Sequence, residues 1–560
     1  MVAEKNQSSH LSPRTTGVLH VRLFFYSVFV AIYIATEIAL GWFVIKWTHA
    51  PSVALFVILS VLFFGGSYGL ARQVVALLVR YRPLRSLDHS PRDRRVALLY
   101  ATMNDVVPEC LHSISQDYPC DVFVLDDSTS QEARNTVDSI SAEMHFTVIR
   151  RDKRRGFKAG AINDWLVSHG AGYDYIVLLD ADSYLPSDWV GETLKYAEHP
   201  DNSDVAIFQG LINIWNLDTR FVQTLASMSR IGQFVWEQQL ANALDAVFCY
   251  GHNVMLRVDA LNHIGGFVEG YVSEDFATAV ALADIGWHSR FVPLHTYEAM
   301  PENVRGFIRR QNKWTRGSME FFGFARESKV SRGRKLHLMQ IPVGHITNLL
   351  LPIGMILTVY GFASTPAGAA AFLYSILRNP PGVIWSVPIL RFMIVFGVLA
   401  FIPTLAVRLK CGIKWKAVVR HRWLSSAIST LSMPYEFKSM LSYFITGLKT
   451  IPVTPKNEKP LSVHEVLGLS VYSFMLEGIL IAGILFFNPL ASVFNSPWLI
   501  PMVISPMIIM RFGGKSSYFS VANNEMLEKV GASSLFPNPI GVNALLKNAL
   551  SRHGHATLSG

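Results

Sequence analysis

The sequence predicts an α/β domain, built on a mostly parallel sheet, inserted into an α-helical transmembrane bundle of about six spans. Three observations predict it. Long uncharged apolar runs gather at both ends of the chain, while the middle carries Asp, Arg and Lys at the density of an ordinary globular domain. Within that middle, short β-branched or aliphatic runs alternate with segments of helical periodicity, the pattern of a parallel sheet with crossover helices. Composition agrees: only 16% of the 560 residues are charged, Phe and Trp number 35 and 12, and the mean hydropathy is positive. Such a chain is too apolar for a typical soluble enzyme of its length, and a disordered or fibrous protein is excluded.

The elements follow in order. Residues 1–21 are polar, and the apolar stretch after them is too long for a signal-peptide core, so it reads as a retained anchor. A helical crossing takes about 20 apolar residues, which 23–47, 53–71, 341–362, 383–407, 466–487 and 497–510 with its flank supply. An even number of spans returns both termini to one side. Residues 408–460 are dense in Lys and Arg, whereas 48–52 and 488–496 have none and 363–382 has only Arg378. The positive-inside rule therefore places both termini, the middle domain and the late basic loop in the cytosol, on a multi-pass protein of the inner (plasma) membrane.

The expected units are 1–80 (tail and two spans), 81–335 (the α/β domain) and 336–408 (an interface helix and two spans). They continue with 409–461 (a cytosolic amphipathic segment), 462–511 (two spans) and 512–560 (a cytosolic tail). The net charge of +9 belongs to these loops rather than to a nucleic-acid surface. Cys110, Cys120, Cys249 and Cys411 form no close pair and have no His at zinc spacing, which points to a reducing compartment without a disulfide framework.

Strands are expected at 96–100, 122–125, 147–149, 176–179 and 205–209, with a helix at 132–144. In a parallel sheet the ligand site lies at the carboxyl ends of the strands. The second strand runs into Asp126-Asp127-Ser128 and the fourth into Asp180-Ala181-Asp182-Ser183. Carboxylates there are costly unless they meet donors or a cation, and two oxygens spaced by one residue suit a hard divalent ion, Mg²⁺ or Mn²⁺, that keeps phosphate oxygens as its other ligands. Turn or helix-cap residues are the plainer reading. For one motif the two readings weigh equally; two motifs on successive strands favour the site.

Between them lies Arg150-Arg151-Asp152-Lys153-Arg154-Arg155-Gly156-Phe157-Lys158-Ala159-Gly160. A basic run is ordinarily solvated or membrane-surface charge. Lys158 differs, because it precedes small residues and a helix start, where an ammonium and backbone amides can hold phosphate. Tyr250-Gly251-His252-Asn253, Ser273-Glu274-Asp275 and Arg310-Gln311-Asn312-Lys313-Trp314 follow. Asp275 opens an apolar helix, 276–283, as a cap for its first turn or as a general base toward a hydroxyl. The last element offers an indole for stacking on a sugar ring and cations for a diphosphate.

Taken in order, with 101–105 as the opening, these motifs make the block resemble a family 2 glycosyltransferase of the cellulose synthase-like membrane group. The resemblance implies a GT-A-like domain that binds the donor through Thr102, Asn104, Asp126, Asp127, Lys158 and Asp180. It further implies a metal and diphosphate on Asp182 with Asp180, diphosphate contacts from Arg310, Gln311 and Lys313, Asp275 as base and Trp314 as the floor of the acceptor site. A second likeness, over 150–164, 180–183 and 250–257, is to the glucosyltransferase of periplasmic osmoregulated glucans; Tyr250 and His252 within it, with Glu274 of the family motif, are expected to meet the acceptor. Residues 451–456 resemble the gating loop of cellulose synthases and would bring Thr454 and Lys456 to the donor. What the likenesses imply is inverting transfer of glucose from UDP-glucose into a β-glucan, exported across the membrane. The partners would be a growing polysaccharide or a lipid acceptor and the surrounding membrane lipids, with no nucleic acid.

Two departures stand out. The family's Gln-x-x-Arg-Trp becomes Arg310-Gln311-Asn312-Lys313-Trp314, and the gating loop begins with Ile451 instead of Phe. An Arg at the first position also occurs in glycolipid-forming relatives, which makes single-sugar transfer to a lipid the second reading. A transporter with a degenerate cytosolic domain is the third, disfavoured because the acidic motifs are all present. Neither a cyclic-dinucleotide-binding barrel after Arg511 nor a Cys-rich finger at the front is expected. Glu37, Arg391 and Glu477 fall in or beside spans, where a lone charge is costly unless it faces protein or water. They are expected to line a polar path for the sugar chain, with snorkelling to the interface as the alternative for Arg391.

Overall fold

The computed structural model describes residues 13–43, 48–79, 83–217, 220–238, 240–362, 366–386, 388–447 and 461–512. Seven strands, β1 (Val96–Thr102), β2 (Cys120–Asp126), β3 (Thr147–Ile149), β4 (Tyr175–Asp180), β5 (Val205–Ile214), β6 (Val254–Arg257) and β7 (His288–Glu298), form one sheet in the order β3-β2-β1-β4-β6-β5-β7. β1 to β4 pair in parallel, β6 runs antiparallel between β4 and β5, and β7 runs parallel to β5. The five expected strands are present, with β5 extended to Ile214. β6 and β7 are additions. β6 has only four residues, and β7 carries Pro293, which is tolerated because β7 is an edge strand.

The central strands are apolar on both faces because helices cover both. Leu99, Ile176 and Leu178 pack with Trp165 and Ile162 on one side. Leu98, Tyr100, Val177 and Leu179 pack with Trp189 and Leu194 on the other. Burying each such large side chain contributes about 2–3 kcal/mol. The parallel register brings the ends of β1, β2 and β4 level, so Thr102, Asp126 and Asp180 share one edge.

Among the described residues four helices are long and apolar enough to cross a membrane: His20–Trp42, Ala50–Leu78, Arg332–Tyr360 and Val463–Phe486. They match the expected first, second, third and fifth spans. The expected fourth falls on helices Pro380–Ser386 and Pro388–Lys410, and the apolar part of the latter, Ile394–Lys410, joins Trp415–Thr446 through a 115° bend, which makes up to five spans if that pair counts as one. The expected sixth lies in helix Ala491–Phe512, whose apolar part, Leu499–Met510, is shorter than a crossing requires. Where a separate interface helix was expected, Arg332–Tyr360 is one helix with Pro342 and Pro352 inside it. Asp245 joins domain to bundle, accepting from His288 Nδ1 (3.0 Å), Arg290 Nη1 (2.7 Å) and Arg334 Nη2 (2.9 Å).

Candidate active site

The site is built on the carboxyl edge of β4 and the three segments folded over it. Asp180, the last residue of β4, holds the Lys158 ammonium, which also donates to Gly251 O at 2.8 Å. His252 Nδ1 lies 3.7 Å from Asp180 Oδ2, and its Nε2 meets Glu298 Oε2 at 2.9 Å. Burial opposes the ionisation of Asp180, but Lys158, His252 and Lys313 outweigh it and hold the carboxyl well below the usual carboxylate range. Burial likewise opposes charge on His252, and Asp180 and Glu298 raise it to about 9, so the ring is an imidazolium at neutral pH. Lys158 follows the same logic: burial lowers it, while Asp180, Glu274 and Asp275 raise it further.

Ser273-Glu274-Asp275 opens helix Glu274–Asp284. Asp275 Oδ1 accepts from Phe276 N at 2.8 Å, within the first turn of a helix whose N-cap position is Ser273. Its other oxygen faces the turn at Gly251: a Cβ on that glycine, whose φ is +81°, would stand 2.7 Å from Asp275 Oδ2. Burial raises Asp275, opposed by the Phe276 amide and by Lys313, Lys158 and His252. Burial and then the Asp275 charge push Glu274 up to about 7. A raised carboxyl is a stronger base than a solvated one and suits proton abstraction near neutral pH.

Helix Val304–Met319 supplies the third wall. Lys313 acts on Asp180, Glu274 and Asp275 through its charge. Trp314 is 49% exposed, which leaves an indole face available to a ligand. Arg310, one turn earlier, places its guanidinium 4.6 Å from the Trp314 ring centroid and 4.0 Å from Glu298. Gln311 lies half-buried on the same helix.

Other expected residues have different surroundings. Asp126 is buried and both its oxygens are engaged, by Arg150 Nε (2.7 Å) and Ser128 N (2.9 Å). Arg151 grips Asp127 through two nitrogens (3.0 and 2.6 Å), and Arg154 approaches it at 3.3 Å. The basic run is thus bound to carboxylates rather than simply solvated, with Arg155 on Glu269 and Asp164 as well. Thr102 donates to Asp105. Asn104, at φ +61°, accepts from Thr129 N and Ser130 N and locks the two loops together. Tyr250 points inward, stacked on Phe276 and meeting Glu237.

Glu37 accepts from Ser60 between the first two apolar helices (2.6 Å), Arg391 is half-buried in Pro388–Lys410, and Glu477 is buried in Val463–Phe486. Thr454 and Lys456 lie outside the described residues. Among the described residues no group of three or more His, Cys, Asp and Glu side chains could hold a metal.

Three positioning residues escaped the sequence reading. Gln209, buried in β5, accepts from Tyr250 N and donates to His252 O and Asn253 O, fixing the 250–253 turn. Glu298 is the His252 partner at the end of β7. Glu320 accepts from Val272 N and Ser273 N and sets where the Asp275 helix begins. Only the polar end of the β5 run signalled any of them.

Residues 175–407 match the family model described as Glycosyl transferase family group 2. The match takes in the 180–183, 250–253, 273–275 and 310–314 motifs and excludes β1 to β3. Glucomannan 4-beta-mannosyltransferase 1 of Oryza sativa subsp. japonica is 28% identical over 39% of this chain and 44% of its own length. Glucans biosynthesis glucosyltransferase H of Xanthomonas campestris pv. campestris (strain B100) is 26% identical over 52% of this chain and 49% of its own. The chain spans about half the length of the curated relatives it matches. Among solved structures, the mannosyltransferase PcManGT from Pyrobaculum calidifontis in complex with GDP-Man and Mn²⁺ is 20% identical, covers 62% of this chain and 98% of its own, and superposes with a TM-score of 0.43.

Proposed function

We propose, on the premise that the chain carries a glycosyl transferase family group 2 domain, that it is a membrane-embedded inverting hexosyltransferase. The observation that carries this reading is the convergence of Asp180, Lys158, His252, Asp275, Lys313 and Trp314 at one sheet edge. Asp275 accepts the proton of the acceptor hydroxyl while that oxygen attacks the anomeric carbon, and the bond to the nucleoside diphosphate breaks on the opposite face. The Phe276 amide holds Asp275 Oδ1 in place. Lys313, Lys158 and the imidazolium of His252 supply positive charge toward the departing diphosphate. Trp314 offers the acceptor ring an apolar floor.

Asp182, buried two residues past the end of β4, is the carboxylate of the D-x-D pair we assign to a divalent ion, Mg²⁺ or Mn²⁺, whose other ligands would come from the donor phosphates. When bound, that ion offsets charge on the diphosphate. Asp126 and Asp127, with Thr102 and Asn104, shape the donor's nucleoside end through backbone held by their arginine pairs.

UDP-glucose is the donor we infer, and a β-glucan exported through the helices the product; the named relatives divide between glucosyl and mannosyl transfer. Arg310 over one face of Trp314 favours a second reading, addition of a single hexose to a lipid. Full-length protein in detergent, given radiolabelled UDP-glucose, UDP-N-acetylglucosamine and GDP-mannose with Mg²⁺ or Mn²⁺, tests both. The expected result is a product from one donor, with Asp275→Asn lowering turnover by at least about 10²-fold while nucleotide diphosphate binding persists. Transfer by Asp275→Asn within a few-fold of wild type, or no transfer from any donor, overturns the reading.

A further inference from the structure

Helix Trp415–Thr446 leaves the apolar helix Ile394–Lys410 through a 115° bend. Around that bend, Arg408, Lys410, Lys414, Lys416, Arg420 and Arg422 occur with no Asp or Glu before Glu436. One side of the helix packs on protein. Val418 joins Val235, Val407 and Ile413, and Leu424, Ile428 and Leu431 join Phe221, Leu225 and Ile308. The His421 ring meets Ser227 Oγ at 3.1 Å. The opposite side is bare: Trp415, Val419 and Trp423 are 63%, 50% and 43% exposed. Their spacing of four residues makes them one stripe along the helix. Lys416 and Arg420 flank it on one side and Arg422 on the other, and all three, with Lys414, are exposed.

A loop that only sets topology needs basic residues and nothing more. This one adds an aromatic and aliphatic stripe on a rigid helix, set off the axis of the apolar helix that delivers it. We propose that this face is a binding surface for anionic phospholipid, with the indoles and Val419 at the acyl boundary and Lys414, Lys416, Arg420 and Arg422 on the headgroup phosphates. Charge complementarity selects this occupant, because an apolar stripe framed entirely by cations matches an anionic leaflet. The helix's buried side touches the segments that carry Val235 and Ile308, so the bound lipid sits directly beneath the domain.

The test uses the full chain in phosphatidylcholine nanodiscs with trace spin-labelled phosphatidylglycerol or phosphatidylcholine, and reads the relative association of the two. It measures lipid association alone, so its outcome is separate from that of the transferase reading. Wild type is expected to prefer phosphatidylglycerol. The preference should drop about fivefold or more when Lys414, Lys416, Arg420 and Arg422 are all replaced by Gln. It should survive Lys414→Arg with Lys416→Arg, and it should weaken with added salt in the unmutated protein. The salt arm stands even if the fourfold variant misfolds. Equal association of both lipids with wild type, a preference that salt leaves unchanged, or one unaltered in a folded fourfold variant overturns the proposal. Protection of the stripe by a co-purifying protein, with no lipid preference, does the same.

Discussion

Gly251→Ala isolates the placement of Asp275. The residue has φ +81°, and a Cβ there would lie 2.7 Å from Asp275 Oδ2 and 3.2 Å from Asp275 Cβ. Two costs follow. A left-handed backbone on an L-residue destabilises by about 1 kcal/mol, which lowers the melting temperature of a domain this size by about 2–4 °C. Relief of the contact then shifts the carboxylate by about half an ångström, and since a 1 Å misplacement costs about 10²-fold, kcat should fall about tenfold. Gly286→Ala separates the two, because that glycine has φ +98° with nothing within 4 Å of its Cβ position. Melting curves and steady-state nucleotide diphosphate release by the full-length protein are the assays. Both variants should lose similar stability, and only Gly251→Ala should lose kcat. If the two keep the same kcat, Asp275 does not need its observed position, and its role as base falls with it.

Three further outcomes are expected. Burial pushes the Glu237 carboxyl up to about 8, against Arg72 and Tyr250. The folded value lies above the unfolded one of about 4.5, so the unfolded chain binds fewer protons between them and stability declines as pH rises through that window. Glu237→Gln should therefore melt like wild type near pH 4 and above it by pH 8, on the order of a few kcal/mol; parallel Tm-versus-pH curves would contradict the burial argument. Trp314→Ala should shorten products more than it weakens donor binding, whereas Lys313→Arg should leave product length unchanged, as read by product sizing. A wild-type product of one hexose on a lipid promotes the single-transfer reading whatever the variants do.

Much of this protein is written locally in its sequence. Continuous apolar runs announced the strands of the parallel half because helices bury both their faces. Runs of about 20 apolar residues announced four of the long helices, because a bilayer core demands that length. The positions of Asp180 and Asp275 could be read locally, because one ends a strand and the other lies in the first turn of a helix. Tertiary structure alone decided the partners. The Arg150–Arg155 run looked like solvent-facing charge, yet folding carries it onto Asp126 and Asp127, carboxylates more than twenty residues away. Sequence shows the carboxylate of Asp180 at a strand end but not that Lys158 and His252 meet it once the 250–253 turn closes over β4. Glu298 stayed invisible because its strand, an edge with a proline, lacks the apolar pattern of a central one. Periodicity records which face of an element is buried. Which charge meets which is set by distances between elements far apart in the chain, and these exist only after the sheet has assembled.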